Sequence, residues 1–319
     1  MIGKNEANQR LDRFLKKYLN EASNSFIYKM IRKKNIKVNK GKAEPESVLM
    51  EGDTVQLFLS DETIDKFKSD KEARMNAIAP DIFYEDDNIV LINKPVGILS
   101  HGDGQAYEEN VVDSLISYLI LKGDYVPRIE KTFTPAICNR LDRNTSGIII
   151  GAKNSSSLRA VNSAIKDMKV HKYYKVIVKG KIHDDFEHKG FMSKNDDRNI
   201  VKISSGRDDD SKEVHTRFRV IKTNGEYTIL EAELITGRTH QIRSTLKALG
   251  YPVIGDRKYG DSKTNDYFNK RYKLDNQWLH GYKVVFGGFE EPFSYLNGKE
   301  FTTQPGEILA KIELDLFSR

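Results

Sequence analysis

The chain has 319 residues, 38% of them hydrophobic and 31% charged, with 15 Phe and 15 Tyr; this excludes a mostly disordered polypeptide and allows one large core plus a smaller unit, at roughly 100–200 residues per domain. Apolar runs such as 148–150 and 89–92 fall far short of the ~18 residues a membrane-spanning helix needs, and the polar N-terminus does not read as a signal peptide. One cysteine, Cys138, excludes an internal disulfide and a thiolate metal cluster, which points to a reducing, cytoplasmic setting, and most of the net charge of +6 lies in residues 1–60, with 12 Lys or Arg against 7 Asp or Glu.

Leu11, Phe14, Leu15, Tyr18 and Leu19 recur at helical spacing and predict an amphipathic helix over 10–19. A second short helix is predicted over 25–33, burying Phe26, Ile27, Met30 and Ile31. The period then changes to two: Ile36 and Val38 alternate with polar residues, Asn39-Lys40-Gly41 is a turn, and 55–59 closes the unit as a strand. Between Lys29 and Lys42 lie seven basic residues, Lys33, Lys34 and Lys37 among them, and no acidic one. Such a stripe suits a phosphate backbone, with a solvated lysine-rich face as the competing reading. Residues 61–80 are charged and poor in apolar side chains, so the expected organisation is a small basic unit over 1–60, a linker over 61–80 and a main domain over 81–319.

In the main domain, strands at 82–84 and 89–93 flank the turn Glu85-Asp86-Asp87-Asn88, and helical spacing follows in Val112, Leu115, Ile116 and Leu119. Residues 148–152 read as a buried strand, 156–168 as a helix, 172–179 as a strand and 181–212 as a polar insertion. Val214, Thr216, Phe218 and Val220 alternate, as do Leu230, Ala232 and Leu234, giving two half-buried strands. A helix over 239–249 ends at Gly250, where a left-handed cap is preferred. Strands and helices mix without regular beta-alpha alternation, so the expected fold class is α+β on a mixed, largely antiparallel sheet.

Arg-Leu-Asp-Arg occurs twice, at 10–13 and 140–143. Asp12 falls in the first turn of a predicted helix, where a carboxylate favours the dipole, and reads as structural. Asp142 falls in Asn139-Arg140-Leu141-Asp142-Arg143-Asn144-Thr145-Ser146-Gly147, a loop held between Pro135 and a buried strand. Loops anchored in this way display reactive groups. On the residues alone, a surface Asp–Arg cluster competes with a reactive site.

That segment resembles the H-R-L-D-x-x-T-S-G signature of the RluA-type pseudouridine synthases, with Asn139 where the family usually has His. Residues 234–243, ending Thr236-Gly237-Arg238-Thr239-His240-Gln241-Ile242-Arg243, are similar to the family's T-G-R-x-H-Q-I-R, and Gly255-Asp256-Arg257-Lys258-Tyr259-Gly260 resembles its G-D-x-x-Y-G. Residues 172–180 are similar to its K-x-Y-x-A-x-V-x-G strand, and counting back from Gly180 selects Tyr174 rather than Tyr173. Asn93-Lys94-Pro95-Val96-Gly97 also matches, so the resemblance covers about residues 80–315. Residues 1–60 look like the small RNA-binding domain of a small-subunit ribosomal protein.

The resemblance implies the pseudouridine synthase fold and an enzyme that isomerises uridines in RNA, large-subunit ribosomal RNA first and transfer RNA as the alternative, without metal, redox or nucleotide cofactor. It implies Asp142 as the essential carboxylate, a nucleophile on sugar or base or a base toward the ribose, with Arg243 paired to it through a bidentate fork. It further implies Tyr174 stacked on the uracil and aiding loss of the carbon 5 proton, and Ile242 as an apolar wall. Arg140 and Arg143 would contact phosphate or fill the space left by a flipped base. Arg238 and His240 would face the RNA, His240 ordering the loop or the RNA rather than acting as a base, and Lys33, Lys34 and Lys37 would bind the backbone. The expected setting is a monomer meeting the large-subunit RNA during assembly, with no membrane partner. A silent RNA-binding or assembly protein would lack the pocket residues, and an RNA methyltransferase would need a glycine-rich strand-to-helix turn that the sequence does not show.

Overall fold

At the N-terminus β1 (Gln9–Arg10) leads into α1 (Leu11–Tyr18), which buries Leu11, Phe14 and Leu15 on one face. The structure is a computed structural model that describes residues 1–68, 78–102, 108–127, 132–195, 200–204, 206 and 211–318. The Ser23 hydroxyl accepts the Phe26 N–H and starts α2 (Asn24–Arg32), whose Ile27, Met30 and Ile31 join the α1 residues in one core. β2 (Ile36–Val38) pairs with β3 (Gly41–Lys42), β4 (Val48–Leu49) pairs with β1, and β5 (Val55–Leu57) pairs with β2. Asn39 and Lys40 both take positive φ, 49° and 64°, as a tight hairpin turn demands. Asp12 accepts from Arg10, Tyr28 and the Arg13 N–H, all within its own unit.

The segment read as a linker opens differently. Ser60 caps α3 (Asp61–Phe67), and Ile64 and Phe67 pack onto the N-terminal core, Phe67 with its ring centroid 4.5 Å from that of Phe26. Two apolar residues three apart suffice for one helical face, and the charges around them hid that face from a composition reading. The N-terminal core thus takes in Phe67, while 69–77 lie outside the described residues, as do Asp103 and Gly104.

β6 (Ile82–Glu85) and β7 (Ile89–Lys94) form a hairpin whose turn is closed by Asp86, which accepts the Asn88 and Ile89 N–H groups. α4 (Val111–Lys122) follows, capped by Asn110, then β8 (Ala136–Ile137) and the fully buried β9 (Ser146–Ala152). α5 (Ser155–Lys166), capped by Asn154, returns the chain to β10 (Val170–Lys179). Residues 181–212 are not a mere insertion: β11 (Phe186–Asn195) and β12 (Ile200–Ser204) pair with each other, and β11 also with β13 (Lys212–Thr223). These strands form the outer edge of the sheet, where main-chain bonds hold the ladder without the apolar pattern that marks a core strand. Residues 196–199, 205 and 207–210 lie outside the described residues. β14 (Tyr227–Leu234), α6 (Gln241–Ala248), α7 (Ser262–Tyr272), β15 (Leu279–Phe286), β16 (Glu300–Thr302) and α8 (Glu307–Phe317) complete the chain.

Among the described residues the main domain has an 11-stranded sheet in the order β12-β11-β13-β14-β10-β15-β9-β7-β6, with β16 on β15 and β8 on β9. It is mixed and largely antiparallel, as expected: the described pairings are antiparallel apart from β15 with β9. That parallel contact sets His280 opposite Ser146 and Gly281 opposite Gly147, and it joins the two halves of the sheet. The backbones approach so closely that a Cβ on Gly147 would strike Gly281, and Gly147 has a φ of 128°. The N-terminal unit meets the main domain at the start of α5, where the Ser155 N–H donates to Asn5 Oδ1 (3.0 Å) and the Ser155 hydroxyl to the Asn5 carbonyl (2.8 Å).

His280 is fully buried beside this seam, with Nδ1 2.8 Å from the Ser146 hydroxyl and Nε2 3.2 Å from that of Thr303. Burial penalises its cation and pulls its pKa down to about 4. The unfolded chain binds this proton below about pH 6.5, the folded chain only near 4, so the stabilisation is complete above 6.5 and is lost progressively as pH falls to 4. Replacing His280 with Gln should remove on the order of 2–3 kcal/mol of the stability difference between pH 7 and pH 4.5. Urea midpoints at the two pH values check this; an equal difference in both proteins contradicts it.

Candidate active site

Asp142 lies on the loop that enters β9 at the seam, and buried polar groups hold that loop from below. Ser100 accepts the Leu141 N–H (3.0 Å) and donates to the Leu141 carbonyl (2.7 Å). Lys94, fully buried, donates to the carbonyls of Pro95 (3.0 Å), Ile98 (2.8 Å) and Arg143 (2.9 Å). Burial draws its pKa down to about 7, opposed by the charge of Asp142. Asn139 donates to the Ile148 carbonyl (3.0 Å) and accepts the Ile150 N–H (2.8 Å), so the residue that replaces the usual His still fastens the loop to β9. Gln277 donates to the Thr145 hydroxyl at 3.1 Å.

The facing wall comes from the turn between β14 and α6. His240 takes a left-handed φ of 59° at the helix start. Gln241 stitches the turn: its Oε1 accepts the Thr236 hydroxyl (2.9 Å) and the Arg238 N–H (3.0 Å), and its Nε2 donates to the Thr216 hydroxyl (2.8 Å). The first turn of α6 then carries Ile242 and Arg243 inward, and both are buried.

Arg243 Nε and Nη2 donate to Asp256 Oδ2 (2.7 Å) and Oδ1 (2.9 Å), and Nη1 donates to Asp142 Oδ2 at 2.8 Å. The bidentate fork expected toward Asp142 is therefore made with Asp256, and Asp142 receives a single bond. Asp256 wins the fork because its side chain is completely buried and fixed, its Oδ1 also accepting the Lys258 and Tyr259 N–H groups at 2.9 and 3.0 Å. Burial alone would raise the Asp256 pKa, but Arg243 and the two N–H groups hold it below the usual carboxylate range. Burial likewise opposes the Arg243 charge, and the two carboxylates outweigh it and raise its pKa. The Tyr259 ring lies 5.3 Å from the guanidinium, and its hydroxyl is 3.0 Å from His240 Nδ1. His240 Nε2 is 3.9 Å from Asp142 Oδ2; burial lowers the histidine pKa, against the pull of Asp142.

Tyr174 sits where the ladder between β10 and β15 slips. Tyr173 pairs with Lys283 and Lys175 with His280, so Gly281 and Tyr282 together oppose Tyr174. Such a bulge re-aims side chains. The Tyr174 ring packs over Gly281, where an added Cβ would lie 3.1 Å from its Cε1. The ring is buried, and burial, reinforced by the Asp142 charge, raises the phenol pKa.

Asp142, Tyr174, Ile242 and Arg243 line one pocket of about 50 Å³, together with Arg140, Arg238 and His240. A wider cleft of about 280 Å³ shares Asp142, His240 and Arg243 and adds Arg143, Arg257 and Lys258. Arg143 is paired with Glu108. Lys33, Lys34 and Lys37 are not part of either pocket: Lys33 and Lys34 are exposed at the end of α2, and Lys37 on β2 places Nζ 5.1 Å from the Phe58 ring. The sequence reading missed Asp256, Gln241, Lys94 and Ser100 as supports; for Asp256 the glycine-flanked turn that carries it was the available signal. Among the described residues no group of three or more His, Cys, Asp or Glu could hold a metal ion, and no helix is long and apolar enough to cross a membrane.

Replacing Arg243 with Met would leave Asp256 buried without its counterion. That should cost about 3–5 kcal/mol, the usual penalty for breaking a buried pair. Denaturant unfolding of the variant checks it, and a loss under about 1 kcal/mol would contradict the burial argument.

Comparison with known proteins bears on the same residues. The family model for RNA pseudouridylate synthase matches residues 88–248, a span that includes Asp142, Tyr174 and Arg243. The chain is 31% identical to the ribosomal large subunit pseudouridine synthase C of Vibrio vulnificus, over 98% of this chain and 94% of that one. It is also 31% identical to an uncharacterized RNA pseudouridine synthase of Mycoplasma capricolum, over 97% and 98% of the two chains. The solved structure of human RNA pseudouridylate synthase domain containing 4 shares the fold, with a TM-score of 0.58 at 20% identity, covering 74% of this chain and 92% of that one. With a family match over half its length and relatives aligned along nearly all of it, the chain belongs to the RNA pseudouridylate synthase family.

Proposed function

We propose that this enzyme isomerises uridines of large-subunit ribosomal RNA, with Asp142 as the reacting carboxylate. The observation that carries the assignment is the division of the Asp142 oxygens. Its contacts with Arg243 and His240 both fall on Oδ2, and Oδ1 has no protein partner among the described residues. One oxygen is anchored and the other is left for the substrate.

In the reaction the bond from ribose C1′ to uracil N1 breaks, the base turns, and C1′ joins C5. The C5 proton leaves and N1 takes one up, so the composition is unchanged. Asp142 attacks sugar or base, or draws a proton from the ribose, to open the first bond. Tyr174 stacks on the uracil and Ile242 walls the pocket. With its pKa raised by burial, the Tyr174 phenol holds its proton in the resting enzyme and serves first as stacking surface and hydrogen-bond partner. The target must leave its helix, and Arg140 lies exposed at the pocket where it can take the vacated place.

Relatives named as ribosomal large subunit pseudouridine synthases, aligned along most of the chain, support the substrate. The seven-residue basic stripe around Lys33, Lys34 and Lys37 supports contact with RNA backbone. The setting proposed with it is a cytoplasmic monomer acting during subunit assembly.

The test is release of tritium from C5 of labelled uridine in a large-subunit ribosomal RNA transcript. The native protein should release it, and Asp142→Asn should slow release by about a thousandfold or more. Release from bulk transfer RNA alone would overturn the substrate, and undiminished release by the variant would overturn the carboxylate.

A further inference from the structure

Asp142 stands between two unlike compartments. The narrow pocket has aromatic and aliphatic walls, Tyr174, Ile242, Leu234 and Leu279. The wider cleft on its other side carries Arg143, Arg257 and Lys258. A nucleotide divides in the same way, a flat base and an anionic strand joined at the glycosidic bond, and that bond has to lie at Asp142. With the base in the narrow pocket, the ribose and its flanking phosphates fall into the cleft.

We propose that Arg257 and Lys258 hold the RNA phosphates that flank the target uridine; this rests on the reading of Asp142 given above. Both residues ride on the turn 256–260, which is tied by the Lys258 and Tyr259 N–H groups to Asp256 Oδ1 and by the Gly260 N–H to the Asp256 carbonyl at 2.8 Å. A Cβ at Gly260 would strike that carbonyl, so the turn is closed tightly. The residue that fixes Arg243 therefore also fixes the two cations, and the grip on the strand is registered to the reacting carboxylate. They occupy the two positions that the G-D-x-x-Y-G pattern leaves open, and this chain fills both with positive charge.

Asp275, on the opposite wall, pairs with Arg257 at 3.4 Å, with side chains 73% and 53% exposed for Arg257 and Asp275. An exposed pair of that kind is weak and yields to a phosphate. Arg143, the third cation of the cleft, is paired with Glu108 and does not ride on this turn.

The experiment measures affinity for the large-subunit transcript over a range of salt, together with tritium release at saturating RNA. Arg257→Gln and Lys258→Gln should each weaken binding by about tenfold. Each should also reduce the slope of log affinity against log salt by about 0.7, the value for one single-strand phosphate contact. Release at saturation should stay within about twofold of native, and Lys258→Arg should restore the slope, which a merely structural role would not do. Asp275→Asn should tighten binding, and Lys166→Gln, on the exposed side of α5, should change neither quantity. Native affinity and slope in a protein carrying both Arg257→Gln and Lys258→Gln would overturn the cleft assignment while native tritium release left the enzyme reading intact. No release by the native protein would overturn both.

Discussion

Arg243 has three donor nitrogens and two acidic neighbours, and the way it divides them organises the site. Two donors go to Asp256 and one to Asp142. The buried fork fixes the guanidinium as a rigid plane, so its remaining N–H has one direction, toward Asp142 Oδ2. A lysine could neutralise Asp256, but as a rotating point charge it could not fix the position of a second carboxylate. Burying these charges is costly in itself, and its return is geometric definition of the reacting group.

That definition depends on long-range construction. Arg243 comes from the first turn of α6, Asp256 from a glycine-closed turn, and Asp142 from the loop entering β9. These meet because the sheet brings β9 and β15 together in one short parallel contact, where two glycines permit close approach. The bulge in β15 beside that contact aims Tyr174 at the same pocket. Lys94 and Ser100 tie the loop backbone down, and Arg243 holds the Asp142 side chain that the loop carries. The N-terminal unit has its own core and its own basic face, and it touches the main domain through the Asn5–Ser155 bonds.

Much of this was legible in the sequence, for identifiable reasons. Helical and strand periods located α1, α2, α5, β10 and β13, because each buries one regular face; β14 was located too, but it is buried on both faces from Tyr227 to Ala232 rather than half-buried as expected. The motif count that chose Tyr174 over Tyr173 agrees with the alternation of β10: Tyr174 is buried, while Tyr173 lies under Lys283 Nζ, 4.3 Å from its ring centroid, on the other face. The motifs named Asp142 and Arg243 but could not assign their bonds, since a fork depends on which carboxylate reaches the guanidinium edge in space. α3 and the β11–β12 pair went unread for a common reason. Their apolar signal is too sparse for periodicity: α3 is held by two anchoring side chains, and β11 and β12 by their ladder bonds with a few apolar contacts, Phe186 on Phe218 and Met192 with Val214 and Ile203.

The most direct measurement is the single-turnover rate of tritium release by Asp256→Asn, which keeps the Oδ1 acceptor for the Lys258 and Tyr259 N–H groups, and with it the turn that carries Arg257 and Lys258, but removes the charge and the second acceptor oxygen that hold the Arg243 fork. If Asp256 holds Arg243 so that Arg243 can hold Asp142, the rate should fall by about a hundredfold, as expected for a reacting group displaced by about an ångström, with RNA affinity within about twofold of native. An unchanged rate in a folded Asp256→Asn protein would contradict the account, because Asp142 would then be positioned without the fork.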